Sequence, residues 1–200
     1  MFESKTQIIN FLIEKYSYHS YLEIGVQNAL GEFNKVTAKH KVGVDPEPFA
    51  SATHVMTSDN FFADNKEFFD IILIDGLHEA ETVQRDIENA LMYLSDNGTI
   101  VIHDCKPTSE IMQAVPRNAI QWTGDTWKAF VRTRNNHIDL NMFVLDCDFG
   151  VGIIRRSDIP KVWETTEELT YENLVANMLD WLNLMKPDQL PAKLEMLERE

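Results

Sequence analysis

The sequence predicts an α/β protein built on a doubly wound sheet of about seven strands, mostly parallel, with one strand reversed by a C-terminal hairpin. Three observations predict it. "DIILIDGLH" (70–78) and "TIVIHDC" (99–105) are apolar runs that each stop in an acid and a histidine. The stretch between them has helical periodicity, so 69–104 reads strand–helix–strand, a crossover that makes its two strands parallel. Finally, "LNMFVLDCDFGVGIIRR" (140–156) reads as two strands around a tight "DCDFG" turn, hence an antiparallel hairpin.

The elements follow in order. Residues 4–16 place Ile8, Ile9, Leu12 and Ile13 on one helical face. "SYLEIG" (20–25) is a short strand, and 28–38 a weak helix. "HKVGVD" (40–45) is a second strand, stopped by Pro46 and Pro48. "THVMTSD" (53–59) is a third short strand and "FDIILID" (69–75) the fourth. A helix over 79–95 aligns Ala80, Val83, Ile87, Ala90, Leu91 and Leu94, with Glu79 and Glu81 favourable in its first turn. "DNG" (96–98) is a turn, and "TIVIHD" (99–104) the fifth strand. Strands four and five are apolar throughout, as burial on both faces of a sheet requires.

Residues 106–121, with Pro107 and Pro116, read as irregular. The helix "DTWKAFVRTR" follows, with Asp125 as its expected cap. After the hairpin the chain ends in helix, with Leu174, Val175, Met178, Leu179, Leu182 and Met185 as its stripe, and a tail follows Pro187 and Pro191. The expected organisation is a single domain over 1–200. An N-terminal helix (1–19) precedes the core (20–156), and a helical extension (157–200) follows it. The extension is expected on its own sheet; packing on a second copy, a homodimer, is the alternative.

The formal net charge of −14 argues against a broad nucleic-acid or anionic-membrane surface. A local basic patch is still compatible with that charge, and Lys39–Lys41 or Arg132–Arg134 could supply one. Cys105 and Cys147 form no CxxC motif, so a reduced, cytoplasmic setting is expected. No signal peptide or membrane span is evident.

In doubly wound sheets, ligands bind beyond the C-terminal ends of the strands. Glu23, Asp45, Asp59, Asp75 and Asp104 all fall at expected strand ends. Gly25 closes the first strand, and Asp45 ends the second twenty residues later, where a carboxylate can accept both hydroxyl protons of a ribose. NAD and S-adenosylmethionine (SAM) both carry that ribose. A dinucleotide site needs G-x-G-x-x-G for close approach to a pyrophosphate, whereas this loop has Gln27 and Ala29 where small, flexible residues would help. SAM has no pyrophosphate, and Glu23 suits its sulfonium and amino group.

The order of segments resembles the class I SAM-dependent methyltransferases, which have a Rossmann-like fold. "LEIGV", "VGVDP", "FDIILIDGLHEAETVQRDIENAL" and "GTIVIHDC" are similar to the small bacterial type, with an "IDG-x-H" strand end followed by a strand ending in "DD" or "HD". The resemblance covers about residues 20–156, and the usual second glycine of the first loop is missing. It implies that Glu23 and Gly25 lie around the methionine part of SAM, that Asp45 holds the ribose, and that Ser58 and Asp59 lie by the adenine. Related sugar O-methyltransferases hold a divalent metal at this edge, which implies Asp75, His103 and Asp104 as ligands. With an imidazole in the set, Mn²⁺ or another transition metal suits better than Mg²⁺.

His78, in the loop entering the helix, is placed to take a proton from the methyl acceptor, and Asp104 could act directly as a base. Met112, Trp122 and Trp127 could wall the acceptor site. The expected activity is O-methylation of a small-molecule acceptor bearing a hydroxyl, such as a sugar or glycan-linked group. The competing readings are a nucleotide-binding oxidoreductase of related topology and a non-catalytic SAM- or partner-binding module.

Overall fold

The computed structural model describes residues 2–199. The first half holds α1 (Lys5–Tyr16), β1 (Ser20–Ile24), α2 (Glu32–Lys35), β2 (His40–Asp45), β3 (His54–Val55), α3 (Ser58–Asp64), β4 (Phe69–Ile74) and α4 (Ala80–Met92). The second holds β5 (Leu94–Ile102), α5 (Thr126–Asn136), β6 (Leu140–Leu145), β7 (Val151–Arg156), α6 (Tyr171–Trp181), β8 (Leu184–Met185) and α7 (Leu190–Leu197). One eight-stranded sheet runs β3-β2-β1-β4-β5-β7-β6-β8. The first five strands are mutually parallel. Only β7, the return strand of the hairpin, is antiparallel to its neighbours. The doubly wound, mostly parallel sheet with one reversed strand is therefore observed.

Alternation along the strands divides the core in two. Tyr21, Ile71, Leu73 and Val101 face a layer built by Ile8 and Leu12 of α1, Phe33 of α2, and Leu190 and Leu194 of α7. Leu22, Ile72, Ile74 and Ile100 face the other layer, with Phe61 and Phe62 of α3, Val83 and Ile87 of α4, Trp127 of α5 and Leu174 of α6. Both faces of β4 and β5 are thus covered, which is why their sequences read as unbroken apolar runs. Each large side chain fully buried here contributes about 1.5–3 kcal/mol. The C-terminal extension packs on this sheet through Leu174, Trp181 and Leu182.

Several boundaries differ from expectation. The expected third strand survives only as His54–Val55. Thr57 then caps α3, its hydroxyl accepting from Asn60 N at 3.3 Å, so Ser58 and Asp59 open a helix that buries Phe61 and Phe62. "DNG" belongs to β5, which pairs with β4 from Leu94 and absorbs the extra residues in a register shift between Phe69 and Ile71. The helix at 28–38 shrinks to four residues.

The C-terminal stripe is not one helix. It breaks at Asn183, whose left-handed backbone (φ 44°) is anchored by its amide donating to Met142 O at 2.9 Å. Leu184–Met185 then adds an eighth strand beside β6. The expected tail is α7, with Pro191 in its first turn, where a missing N–H costs nothing.

Candidate active site

The ends of β1, β2, β4 and β5 open into one cleft of about 910 Å³, large enough for a nucleoside cofactor and a small acceptor together. Gly25 sets its floor. Its φ is +89°, and a Cβ there would stand 2.3 Å from the Asp75 carbonyl oxygen, so only glycine lets the ends of β1 and β4 touch. Gly25 N donates to Val44 O (2.8 Å), and Asp75 N donates to Ile24 O (2.9 Å). Two residues on, Gln27 adopts φ 53°. The loop thus keeps a glycine-like conformation without the second glycine, and Gln27 N donates to Asp45 Oδ2 at 2.8 Å.

Asp45 is buried. Its other oxygen accepts from Glu47 N at 2.8 Å, so two backbone N–H groups fix the carboxylate at the cleft wall. Glu23 is also buried and accepts a short hydrogen bond from the Tyr21 hydroxyl. Burial pushes its carboxyl up to about 7, against the Tyr21 hydrogen bond and with help from the Asp75 charge. Ser58 and Asp59 line the far end of the cleft. Asp59 is half exposed and paired with Arg85 at 3.3 Å.

Asp75, His78, His103 and Asp104 converge at the other end. Asp75 Oδ1 lies 3.0 Å from His103 Nδ1 and 3.4 Å from His78 Nε2, while Oδ2 accepts from Lys5 Nζ at 3.1 Å. Asp104 Oδ2 lies 3.1 Å from His78 Nδ1 and 3.4 Å from His103 Nδ1. Asp148, in the hairpin turn, lies 3.4 Å from His103 Nε2 and accepts from Lys5 N at 2.8 Å.

These contacts govern ionisation. Burial would raise Asp75, but the hydrogen bonds from His103 and His78 and the charges of His103 and Lys5 hold it well below the usual carboxylate range. Burial would lower His103, but its bonds to Asp104, Asp148 and Asp75 raise it to about 11. Burial likewise opposes the charged form of His78, and Asp75 and Asp104 outweigh it, leaving its pKa above the ordinary imidazole value.

The segment 122–125 clamps His78 from above. Trp122 stacks on its ring at 5.4 Å and 22°, and the Trp122 carbonyl lies 3.3 Å from Nδ1. Nδ1 thus faces two acceptors, this carbonyl and Asp104. Nε2 faces a single acceptor, Asp75 Oδ1, at the longer distance of 3.4 Å, so the site favours the imidazolium and Nε2 is the nitrogen that gives up its proton more readily. Gly124 (φ +55°) fits directly against the His78 carbonyl, where a Cβ would stand 1.7 Å away. Asp125 corrects an expectation: its side chain makes no cap bond to the backbone of its own helix; it accepts from Lys128 Nζ at 3.2 Å and from Ala80 N at 2.7 Å, capping α4. Trp127 is wholly buried in the core and Met112 is nearly so; of the three expected acceptor walls, only Trp122 lines the cleft.

Among the described residues, one group of three gathers metal-ligating atoms: Asp75, His78 and Asp104, all within 4.8 Å of one another. His103 sits beside it, hydrogen-bonded to Asp75. Two carboxylates and an imidazole fit Mn²⁺ or another transition metal. Sequence reading missed Lys5, Asp148 and Asp86, another acid that lines the cleft. Lys5 and Asp148 reach the site only through the fold. Asp86 did leave a signal, an acid directly before Ile87 on the buried side of the α4 stripe.

Residues 23–105 match the family model described as a methyltransferase domain, a stretch that includes both strand-end motifs. No curated protein matches the chain significantly. Among solved structures, SAH-bound methyltransferase PaMTH1 from Podospora anserina is similar in fold (TM-score 0.57, 16% identity), over 77% of this chain and 78% of that one. A putative caffeoyl-CoA O-methyltransferase from Staphylococcus aureus gives a TM-score of 0.58 at 14% identity, over 78% and 85%. The O-methyltransferase TomG from Streptomyces achromogenes, in complex with SAM, gives 0.54 at 12%, over 75% and 77%. The chain has the class I methyltransferase fold.

Proposed function

We propose that this methyltransferase uses SAM to methylate a hydroxyl oxygen on a small acceptor such as a sugar or glycan-linked group. One observation carries the reading. A single cleft joins Asp45, prepared by two backbone N–H groups, to His78, held between two carboxylates. Asp45 accepts the two ribose hydroxyl protons, and Glu23 faces the cationic amino-acid end. The sulfonium supplies an already activated methyl group, so the protein's remaining tasks are alignment and removal of the acceptor proton. The acceptor hydroxyl approaches His78 Nε2, displacing its 3.4 Å contact with Asp75. The O–H proton passes to Nε2 as oxygen bonds to the methyl carbon and the carbon–sulfur bond breaks. Asp104 and Asp75 stabilise the imidazolium that results.

Calorimetric titration of the protein with SAM, SAH and NAD tests this directly. SAM and SAH should bind and NAD should not; binding of NAD alone would replace the reading with a dinucleotide-dependent one. The Asp75–His78–Asp104 group favours a second arrangement, in which these three residues hold a divalent transition metal that polarises the acceptor oxygen. In that arrangement excess chelator abolishes turnover and Asp104→Asn reproduces the loss. Undiminished turnover in chelator leaves the cluster as proton acceptor alone.

The molecule carries no helix long and apolar enough to cross a membrane among its described residues.

A further inference from the structure

Asp86 is 1% exposed, and neither carboxylate oxygen has a hydrogen-bond partner. It nevertheless lines the cleft, at the end bounded by Thr57, Ser58 and Thr82. A buried acid without a partner is costly, and native structures rarely leave one unexplained. Burial raises its pKa to about 6, opposed by the nearby Ser58 hydroxyl and reinforced by the Asp59 charge. Asp59, the acid that the family resemblance implies by the adenine, is the poorer candidate: it is half exposed and engaged by Arg85 at 3.3 and 3.4 Å.

We propose that Asp86 is the group that recognises the nucleobase, accepting a hydrogen bond from the exocyclic amine of adenine. This rests on the SAM reading above and deepens it. With the amino-acid end at Glu23 and the ribose at Asp45, the base extends away from the acid–histidine end, towards α3 and α4, where Asp86 lies. A carboxylate there complements the N6 amine. It repels the C6 carbonyl that hypoxanthine carries at the same place, so the site selects adenosine over inosine derivatives.

The test compares SAH with S-inosylhomocysteine, by calorimetry, on wild type and two variants. Wild type should prefer SAH by at least roughly tenfold, the scale of one charged hydrogen bond. Asp86→Ala should weaken SAH by a similar factor and bind the inosine analogue no more weakly than wild type does. Asp86→Asn, whose amide can offer either its oxygen or its N–H, should bring the preference close to unity. Because the native acid is buried without a partner, both variants should melt no lower than wild type.

Equal wild-type affinity for the two ligands overturns the assignment. So does a preference that survives in Asp86→Asn, or a lowered melting temperature with unchanged preference, which makes Asp86 a structural support for α3. Failure of wild type to bind SAH at all removes the cofactor reading itself, and the assignment with it.

Discussion

The two ends of the cleft hold their acids by different means. Asp45 is fixed by backbone N–H groups of Gln27 and Glu47, close to it in the chain. Asp75 and Asp104 are fixed by side chains: Lys5 from α1, His78 from the β4–α4 loop and His103 from the end of β5, with Asp148 of the hairpin behind them. Backbone N–H groups stay in place when a side chain is changed, whereas a charge network redistributes over its remaining members. Substitutions at the ribose end should therefore act locally, and those at the acid–histidine end should reach both chemistry and stability.

The largest effect is expected at His78. His78→Gln should lower turnover roughly 10²–10⁴-fold while leaving SAM affinity nearly intact. The base works as neutral imidazole, and its folded pKa lies above the ordinary value of 6.5. Turnover should thus rise with pH through an inflection above 6.5, rather than at it. A matching loss of SAM affinity in the variant would dissolve the division between the two ends.

Next comes stability at the same end. His103 is raised to about 11 in the fold, against about 6.5 unfolded. Its stabilisation is fully present below about pH 6.5 and lost as pH rises through the folded pKa. His103→Gln removes the cation facing Asp75 and Asp148 and should cost about 3–5 kcal/mol at neutral pH. Denaturant melts from pH 6 to 10 should show wild type losing its advantage over the variant as pH rises. A constant gap would mean that packing, not charge, makes the difference.

The same contrast explains what was legible in the sequence. Strand ends, the Gly25–Asp45 spacing and the hairpin are local patterns, and periodicity reveals them. Gly25 was readable because the turn after β1 needs it. Lys5 was not, because it meets Asp75 only when α1 packs beside β4, seventy residues away in sequence. The helix at Ser58 was hidden by "THVM", whose β-branched residues read as strand while Thr57 was already a cap. The β8 strand was hidden by an apolar stripe that continues in period past Asn183, where the backbone turns left-handed.

At the ribose end, Asp45→Ala should weaken SAM more than tenfold, since each charged hydrogen bond lost costs about 1.5–3 kcal/mol. Unlike His103→Gln, it should leave the melt nearly unchanged, because the N–H groups of Gln27 and Glu47 face a cleft that water can enter. Affinity retained within about twofold would remove Asp45 from the site.

The smallest effect is a count of protons. Burial holds the Glu23 carboxyl up at about 7, so near neutral pH part of the population carries a proton on it. A cation placed beside Glu23 stabilises the carboxylate and lowers that pKa. Binding SAM should therefore release a fraction of a proton per molecule at pH 7, and progressively less at pH 8 and above, where Glu23 is increasingly ionised. Calorimetry in two buffers of different ionisation enthalpy measures that number directly. Release should vanish in Glu23→Gln and persist in His78→Gln, because the acceptor base lies at the other end of the cleft. Proton uptake, or release that disappears with His78 instead, would mean that the cofactor's charge is felt first by the acid–histidine network and that the two ends are one electrostatic unit.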